Sequence, residues 1–216
     1  MNIDERYKKI DPGLPERLGG NRETLKQVYD SAFVQLKRLD PDGVSINSGA
    51  VLDGQGRLTL KYFQREVEAD IEKSILYYAD SGEVTDLFTA SIILHYMITA
   101  DGEPISGRWI SYRELPDGMF YFRTIPGVLE PLRTKFGSSF ASFAEKASVY
   151  GGRSSSFRNG IIINPFPYLP LMLILEEGSE EFDPEIRVLF DSSASHYIKT
   201  DIAKVLLVNI VKLLAG

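Results

Sequence analysis

Residues 85–100, with the sequence TDLFTASIILHYMITA, decide the predicted architecture because they describe a helix that is apolar on nearly every side. Thr85 offers an N-cap, and Asp101-Gly102 ends the apolar run. A helix without a broad polar face packs against neighbours all round. We therefore predict that residues 86–100 form the central helix of the core.

On the N-terminal side of this helix, apolar residues alternate with polar ones, which is the pattern of half-buried strands. Residues 44–62 predict a hairpin around the glycine-rich turn Asp53-Gly54-Gln55-Gly56. Residues 66–72 continue the alternation with acidic residues on one side, so we expect a third strand with one solvent-facing surface. Together these segments predict a hairpin or meander near residues 44–72.

Helical spacing of apolar residues predicts further helices that cover the sheet. They are expected over residues 24–39, 128–136, 139–150, 185–198 and 201–214. The turn Asp40-Pro41-Asp42-Gly43 is expected to end the first of them. Pro184 stands directly before the fourth, at a position that suits the first turn of a helix.

The remaining apolar segments predict strands. The aromatic run near residues 119–123 and the proline-split residues 159–176 are expected to complete the sheet. The predicted fold class is therefore α+β, with a small, mostly antiparallel sheet covered by several helices. Prolines and glycines in residues 1–20 predict an N-terminal arm, and the lack of a compositional break predicts a single domain over residues 21–216.

The composition excludes several classes of function. The chain has no cysteine, which rules out disulfides, a thiolate nucleophile and a self-contained iron–sulfur cluster. Its net charge of -6 and its scattered basic residues predict no nucleic-acid partner. No apolar run reaches the roughly 20 residues of a membrane span, and the charged start at residues 1–6 is unlike a signal peptide. We expect no membrane association and a cytoplasmic location.

A glycine-bounded segment in mid-chain is the first candidate site. Between Asp101 and Gly118 the chain concentrates charged and aromatic side chains: Arg108, Trp109, Tyr112, Arg113 and Glu114. An arginine can fork onto a carboxylate or phosphate, and a tryptophan can stack on a planar group, so the segment suits the capture of a small molecule. The alternative is structural, with Trp109 packed in the core and Arg113 paired with Glu114 or an acidic neighbour.

Both histidines of the chain precede a tyrosine in a predicted helix: His95 before Tyr96, and His196 before Tyr197. If they meet in the fold, two imidazoles can bind a metal or a tetrapyrrole, or act as acid and base near neutral pH. They lack a metal-binding spacing such as His-x-x-x-His, so a hydrogen-bonded structural role is the alternative. We count both as candidate ligand-binding residues and predict no metal site.

Three other polar clusters carry weaker signals. Asp191, followed by serines and by His196, superficially resembles a Ser-His-Asp arrangement. A triad needs its nucleophile on a sharp turn, and no Gly-x-Ser-x-Gly motif is present, so Asp191 is kept as a ligand-binding candidate only. The acidic residues between 176 and 183 suit a hard cation or, alternatively, a solvated turn. The glycine- and serine-rich residues 151–156 match no phosphate loop and predict a hinge.

Four segments, taken together, resemble a prokaryotic domain-of-unknown-function family, number 3786. They are residues 93–96 (ILHY), 107–118 (GRWISYRELPDG), 180–182 (EEF) and 189–197, from Leu189-Phe190-Asp191 to Tyr197. The second segment is long and quite specific, whereas the others carry weight only in combination. The resemblance covers about residues 44–215.

The resemblance implies a context and no reaction or catalytic residue. Members of that family occur alone or joined to cysteine-rich iron–sulfur segments in anaerobes, which implies service to corrinoid or other low-potential enzymes. Because this chain lacks cysteine, any cluster has to lie on an iron–sulfur partner protein. We expect a small-molecule or cofactor-binding accessory module of anaerobic corrinoid, tetrapyrrole or one-carbon metabolism. The alternatives are an enzyme with a histidine–carboxylate acid–base pair and a non-catalytic scaffold for the iron–sulfur partner.

Overall fold

The computed structural model describes residues 22–216, which divide into two compact units. The first unit ends at Gly102, and the second comprises Glu103–Gly216. The predicted arm, residues 1–20, lies outside the described residues, and the single domain predicted for the rest stays a prediction. Each unit has its own antiparallel sheet and its own helices.

Two helices open the described part of the first unit. Helix α1 spans Arg22–Leu36 and confirms the first predicted helix, and helix α2 spans Pro41–Ser48. The Asp40 carboxylate caps α2 by accepting a backbone hydrogen bond at 3.0 Å, so the turn expected to end one helix in fact begins another. Strand structure starts at Val51 instead of residue 44, and that part of the prediction is wrong.

The first sheet confirms the predicted meander. It has four antiparallel strands in the order β1-β2-β3-β4. They are β1 (Val51–Leu52), β2 (Arg57–Tyr62), β3 (Arg65–Asp70) and β4 (Ile75–Tyr78). Leu58 and Leu60 on β2 and Val67 and Ala69 on β3 are buried, so the alternating pattern places one face of the sheet on the core.

Helix α3 (Leu87–Thr99) is the core helix of the first unit, as its sequence predicts. It begins after Asp86, whose carboxylate accepts a backbone hydrogen bond at 2.9 Å. Every residue from Leu87 to Leu94 is buried, and α3 packs against α1. The Tyr96 hydroxyl donates to the Ser48 carbonyl oxygen at 2.9 Å and so ties α3 to the end of α2.

The second unit contains a five-stranded antiparallel sheet in the order β5-β9-β8-β7-β6. Its strands are β5 (Trp109–Ser111), β6 (Arg153–Ser154), β7 (Gly160–Phe166), β8 (Leu169–Glu176) and β9 (Glu185–Asp191). β7 and β8 confirm the strands predicted near residues 159–176. The outer strands β5 and β6 are so short that each covers only part of its neighbour's edge.

Four helices accompany this sheet. They are α4 (Gly118–Tyr121), α5 (Ile125–Phe136), α6 (Phe140–Ser148) and α7 (Thr200–Ala215). The three longer ones confirm helices predicted from apolar spacing, and α5 packs against both α7 and β9. Within residues 22–216, no helix combines the length and the apolar character needed to cross a membrane.

The aromatic run at residues 119–123, predicted as a strand, is helical, so that prediction is wrong. It forms most of α4 and leads into a 3₁₀ turn before α5. The chain turns tightly at this point: the Gly118 N–H donates to the Leu115 carbonyl oxygen at 2.8 Å, and the Phe120 N–H to that of Asp117 at 3.1 Å. Local turn bonds override the strand propensity of the aromatic residues.

Residues 185–198, predicted as a helix, contain β9 and a short 3₁₀ turn, so that prediction is wrong too. The proline at position 184 follows an acidic turn, which is typical of a helix start. However, Ile186, Val188 and Phe190 alternate at the strand period and are buried, while Glu185, Arg187 and Leu189 between them are more exposed. The described part of the chain thus contains two antiparallel sheets, where the sequence predicted one.

Candidate functional site

Asp191 is fully buried at the end of β9 and holds the loop that precedes β5. Its carboxylate oxygens accept hydrogen bonds from the Ser106 N–H at 3.0 Å, the Ser106 hydroxyl at 2.8 Å and the Gly107 N–H at 2.7 Å. Ser193 also donates, through its N–H at 2.9 Å and its hydroxyl at 2.7 Å. Because its own chain saturates the carboxylate, we leave Asp191 out of the proposed binding site.

Hydrogen bonding also decides the ionisation of Asp191. Burial by itself raises the pKa of this carboxyl group, but the backbone and hydroxyl donors of Ser193 and Ser106 outweigh burial and hold the pKa below its usual 3.8. The group is therefore a carboxylate at neutral pH. Both serine hydroxyls donate to it, so Asp191 acts as an anchor between β9 and the loop before β5.

Tyr112 is buried and joins two elements of the second unit. Its hydroxyl donates to the Thr200 carbonyl oxygen, at the start of α7, over 2.6 Å. Its ring packs edge-on against Phe190 of β9, with ring centroids 5.9 Å apart. Burial raises the pKa of Tyr112, so the phenol stays protonated and keeps donating at neutral pH.

Arg113 and Glu114 follow in an exposed 3₁₀ turn and do not form the ion pair that we expected as an alternative. Glu114 accepts from the Ser111 hydroxyl and N–H, both at 2.7 Å, which closes a capping box and lowers the pKa of Glu114 below its usual 4.5. The Arg113 guanidinium lies 5.3 Å from the Phe122 ring centroid, and its Nε lies 2.9 Å from the Met119 sulfur. Among the described residues, Arg113 has no carboxylate partner.

Trp109 and Arg108 lie next to this turn. Trp109 is half-buried on β5, where it is paired in register with Asp191, so it is not sealed in the core. Arg108 is exposed, and its carbonyl oxygen accepts from the Ser192 N–H at 2.8 Å. The charge of Arg108 adds a small effect that lowers the pKa of Glu114. Both side chains are thus accessible at least in part.

A groove of about 520 Å³ lies in the second unit between β9 and α5, and we call it the β9 groove. Its apolar lining comes from both walls: Phe122, Ile125, Pro126, Leu129, Ile186, Val188 and Leu189. Ser111, Tyr112 and Arg113 from the predicted mid-chain segment also line it. Its size and mixed lining are those of a ligand site, so two of the predicted residues, Tyr112 and Arg113, lie on a groove suited to binding.

Five charged side chains line the same groove: Arg113, Glu130, Arg133, Glu185 and Arg187. Glu130 and Arg133 satisfy each other through two hydrogen bonds of 2.7 Å, and this pairing lowers the pKa of Glu130. Arg187 makes two long, exposed contacts with carboxylates, to Glu185 at 3.6 Å and to Glu176 at 3.8 Å, and exposed contacts of this kind contribute little. The groove therefore has one positive charge in excess, and Arg113 and Arg187 are available to an anion.

The two histidines lie in different units. His95 is half-buried on α3 of the first unit, and His196 ends a 3₁₀ turn in the second. Each has interaction partners in its surroundings, and neither lines the β9 groove. Across the part of the chain that the structure describes, no group of three or more histidine, aspartate or glutamate side chains could hold a metal ion. We therefore build no site on the histidines.

The sequence-based prediction missed both walls of the groove, α5 and β9, and found only Tyr112 and Arg113 beside them. Leu129 and Arg133 lie on α5, and Ile186 and Arg187 lie on β9, all far from Arg113 in the chain. Apolar and charged residues of this kind occur in any amphipathic helix or strand, so their residue types alone do not indicate a binding site. The alternation of charged and β-branched residues in Glu185-Ile186-Arg187-Val188 is the one local signal that could have shown a strand here.

Comparisons with known proteins agree with the resemblance seen in the sequence. The family model described as Domain of unknown function (DUF3786) matches residues 40–212, a range that includes the whole lining of the β9 groove. No curated protein and no solved structure gives a significant match. Since the family model covers most of the 216 residues, the chain belongs to the DUF3786 family.

Proposed function

We propose that the second unit is a binding module, which holds an anionic, partly apolar ligand in the β9 groove without transforming it. The observation that supports the proposal is the position of Arg113 and Arg187 beside a groove with apolar walls. Apolar contact supplies affinity, while an arginine fork selects a carboxylate or phosphate group. The single positive charge in excess in this groove contrasts with the net charge of -6 of the whole chain.

The ionisable groups of the groove favour binding over acid–base catalysis. A general acid or base works best when its pKa lies near the working pH. The pKa of Glu130 is lowered by Arg133, and that of Tyr112 is raised by burial, so both shifts move away from neutrality. The Tyr112 hydroxyl is also committed to the Thr200 carbonyl oxygen. These groups can shape and orient a ligand, but they are poorly suited to exchange protons with it.

The metabolic setting is a second part of this proposal. The resemblance to family members that are joined to iron–sulfur segments supports a role beside enzymes of anaerobic corrinoid, tetrapyrrole or one-carbon metabolism. Without cysteine, this chain would contribute the binding module, and an iron–sulfur partner would contribute any cluster. A tetrapyrrole combines a flat apolar ring with carboxylates, so it is one small molecule that fits the proposed ligand class.

Titration with anilinonaphthalene sulfonate, a fluorescent anion with an apolar body, tests the proposal. We expect saturable binding that weakens about three- to tenfold in Arg113→Ala and in Arg187→Ala, because each loses a charge-assisted contact. Added salt should weaken binding to the native protein for the same reason. Arg158→Ala is the matched control, since Arg158 is an exposed arginine of the same unit that does not line the groove.

Two outcomes of the dye titration would not support binding in the β9 groove. If all three alanine variants bind the dye as the native protein does, the β9 groove is not the binding site. If a variant unfolds at a lower urea concentration than the native protein, its dye signal reports exposed core instead. The comparison is therefore made only among variants with the native urea midpoint, and Arg113→Gln or Arg187→Gln, which removes the charge but keeps most of the side-chain stem, replaces any variant that fails this criterion.

A further inference from the structure

One edge of β9 is open along half of its length. β5 pairs only with residues 189–191, whereas β9 begins at Glu185. On its other side, β9 is paired with β8 from Glu185 to Phe190. Among residues 22–216, the stretch from Glu185 to Val188 therefore has a neighbouring strand on one side only, and the open side coincides with the β9 groove.

The backbone groups of Ile186 and Val188 point to that open side. The Ser192 N–H donates to the Arg108 carbonyl oxygen at 2.8 Å, which directs the backbone of Ser192 toward β5. Successive residues of a strand direct their N–H and C=O groups to opposite sides, so every second residue back from Ser192 faces the same way. No backbone partner for Ile186 or Val188 is found on this side among residues 22–216.

These open backbone groups belong to residues that are mostly enclosed. Ile186 is 8% exposed and Val188 is 5% exposed. Buried N–H and C=O groups are nearly always paired, because an unpaired one loses its hydrogen bonds to water without replacement. A ligand that brings its own N–H and C=O groups at strand spacing satisfies both residues at once, which a flat small molecule does not.

The groove also has the shape that strand addition requires. A helix, α5, packs against β9, and Ile125 and Leu129 of that helix line the groove together with the strand. A slot between a helix and an open strand edge accepts an extended peptide, whose main chain pairs with the edge while its alternate side chains enter pockets. Met119, which contacts Arg113 of the groove, is 53% exposed, and Phe120, which follows it in the chain, is 80% exposed.

The side-chain pattern of such a peptide follows from the register. In an antiparallel pair, directly opposed residues point to the same face of the sheet. Peptide residues opposite Ile186 and Val188 therefore face the buried side, which favours apolar side chains. The residues between them face the side of Arg187. The contacts of Arg187 with Glu185 and Glu176 are long and exposed, so a glutamate or aspartate of the peptide can compete for the guanidinium.

We propose that the ligand of the β9 groove is an extended peptide segment of a partner protein, with alternating apolar and acidic residues, which pairs antiparallel with Ile186 and Val188. This inference rests on the proposed binding function and names its ligand class. For the alternative function, a non-catalytic scaffold for an iron–sulfur partner protein, it names the β9 groove as the surface to which that partner binds. A small anion that fits the groove without backbone pairing is the competing outcome.

A pair of modified peptides tests the proposal directly. The probe is a blocked six-residue peptide of alternating valine and glutamate with a fluorescent label, and binding to the full chain is followed by anisotropy. Methylation of the valine nitrogens removes the N–H groups that face Ile186 and Val188, so we expect binding to weaken about tenfold or more. Methylation of the glutamate nitrogens removes N–H groups that face away, and affinity should stay within about twofold of the parent peptide.

Amide hydrogen exchange by NMR supplies the second measurement, and it requires no variant. In the free protein the Arg187 amide, which faces β8, should exchange slowly, while those of Ile186 and Val188 exchange faster. Saturating parent peptide should slow the exchange of Ile186 and Val188. Equal binding of all three peptides, or unchanged exchange at these two amides, overturns strand pairing.

The two proposals fail in different ways. If anilinonaphthalene sulfonate or protoporphyrin binds in an Arg113- and Arg187-dependent manner while the parent peptide does not bind, the peptide proposal is overturned and the groove is a small-anion site. If neither the dye nor the peptide responds to the two arginine substitutions, the proposed function itself is overturned.

Discussion

At the scale of single residues, some of the predicted site residues stabilise the fold, and others are exposed and free to contact a ligand. Tyr112 and Asp191, both candidates for ligand contact, are used mainly to hold the unit together, because each is buried and bonded to its own chain. Arg113, in contrast, extends from the same turn without a carboxylate partner among the described residues. The degree of burial and the number of hydrogen-bond partners distinguish the structural residues from the one available to a ligand. Neither property can be read from the residue type.

Glycine substitutions test how tightly this turn is packed. A Cβ on Gly118 would lie 2.2 Å from the Tyr112 carbonyl oxygen, so Gly118→Ala should destabilise the protein by about 1–3 kcal/mol through overpacking. Gly127, on α5, has open space where a Cβ would be. Gly127→Ala should therefore stabilise by up to about 1 kcal/mol, because alanine is the better helix former.

Urea unfolding of the native protein and the two variants gives the comparison. The expected shifts have opposite signs, so a common experimental error cannot produce both. A Gly118→Ala variant as stable as the native protein would show that the Tyr112–Gly118 backbone contact can relax without cost.

At the scale of secondary-structure elements, the placement of β9 decides where a ligand can bind. Its apolar residues alternate, and its two sides are paired to different extents: fully by β8 and partly by β5. Edge strands are usually blunted by charge, proline or a covering element. Pro184 precedes β9, and Glu185 and Arg187 place charge beside the apolar lining of the groove, so the open edge is protected against self-association.

The hydrogen bond between Tyr112 and Thr200 links the turn after β5 to the start of α7. Tyr112→Phe removes the 2.6 Å bond and keeps the ring against Phe190, so we expect a loss of about 1 kcal/mol in the free energy of unfolding. Tyr121→Phe is the matched control, because Tyr121 lies on α4 and its hydroxyl makes no hydrogen bond within residues 22–216.

Chemical denaturation with tryptophan fluorescence measures both tyrosine variants, since Trp109 reports on β5. The prediction requires Tyr112→Phe to be the less stable of the two. Equal midpoints would mean that water replaces the lost hydroxyl contact and that the link contributes no net stability.

At the scale of the whole molecule, paired carboxylates predict loss of stability in acid. The pKa values of several are lowered in the fold, by hydrogen bonds and ion pairs: Asp53, Asp70, Asp80, Glu114, Glu130 and Asp191. Four of them contribute little, because Asp80 and Glu114 are exposed and Asp53 and Glu130 are partly exposed. Asp70 and Asp191 are buried. A carboxyl group with a lowered folded pKa stabilises the fold above its usual value of 3.8, and this stability is lost as the pH falls through the folded pKa.

We therefore expect the free energy of unfolding to change little between about pH 7 and 5 and to fall below about pH 4. Asp191→Asn should cost about 2 kcal/mol at neutral pH, since an amide cannot accept from all the donors around Asp191. Because the variant has already lost the titrating group, its further loss in acid should be smaller than that of the native protein.

Urea unfolding at about pH 7, 5 and 3.5 checks this prediction, because these values extend from well above to just below the usual pKa of a carboxyl group. Asp183→Asn, at an exposed position, is the control. If Asp191→Asn and the native protein lose the same stability on acidification, Asp191 is not among the groups that set acid sensitivity.

The sequence by itself determined the local elements and the excluded chemistry. The core helix α3, the meander of the first sheet and the helices α1, α5, α6 and α7 follow from apolar spacing, because a residue's neighbours at three, four or two positions belong to the same element. The absence of cysteine and the family resemblance are likewise properties of the chain alone.

Only the tertiary structure decided which side chains share a groove. Residues 119–123 are helical because turn hydrogen bonds outweigh the strand propensity of their aromatic side chains. Residues 185–191 form a strand because sheet pairing outweighs the helix-start signal of the preceding proline. Arg113 and Arg187 come together because β9 pairs beside β5, and that pairing joins segments far apart in sequence. Local periodicity carries no information about such partners, and for this reason the sequence predicted Tyr112 and Arg113 but missed the walls formed by α5 and β9.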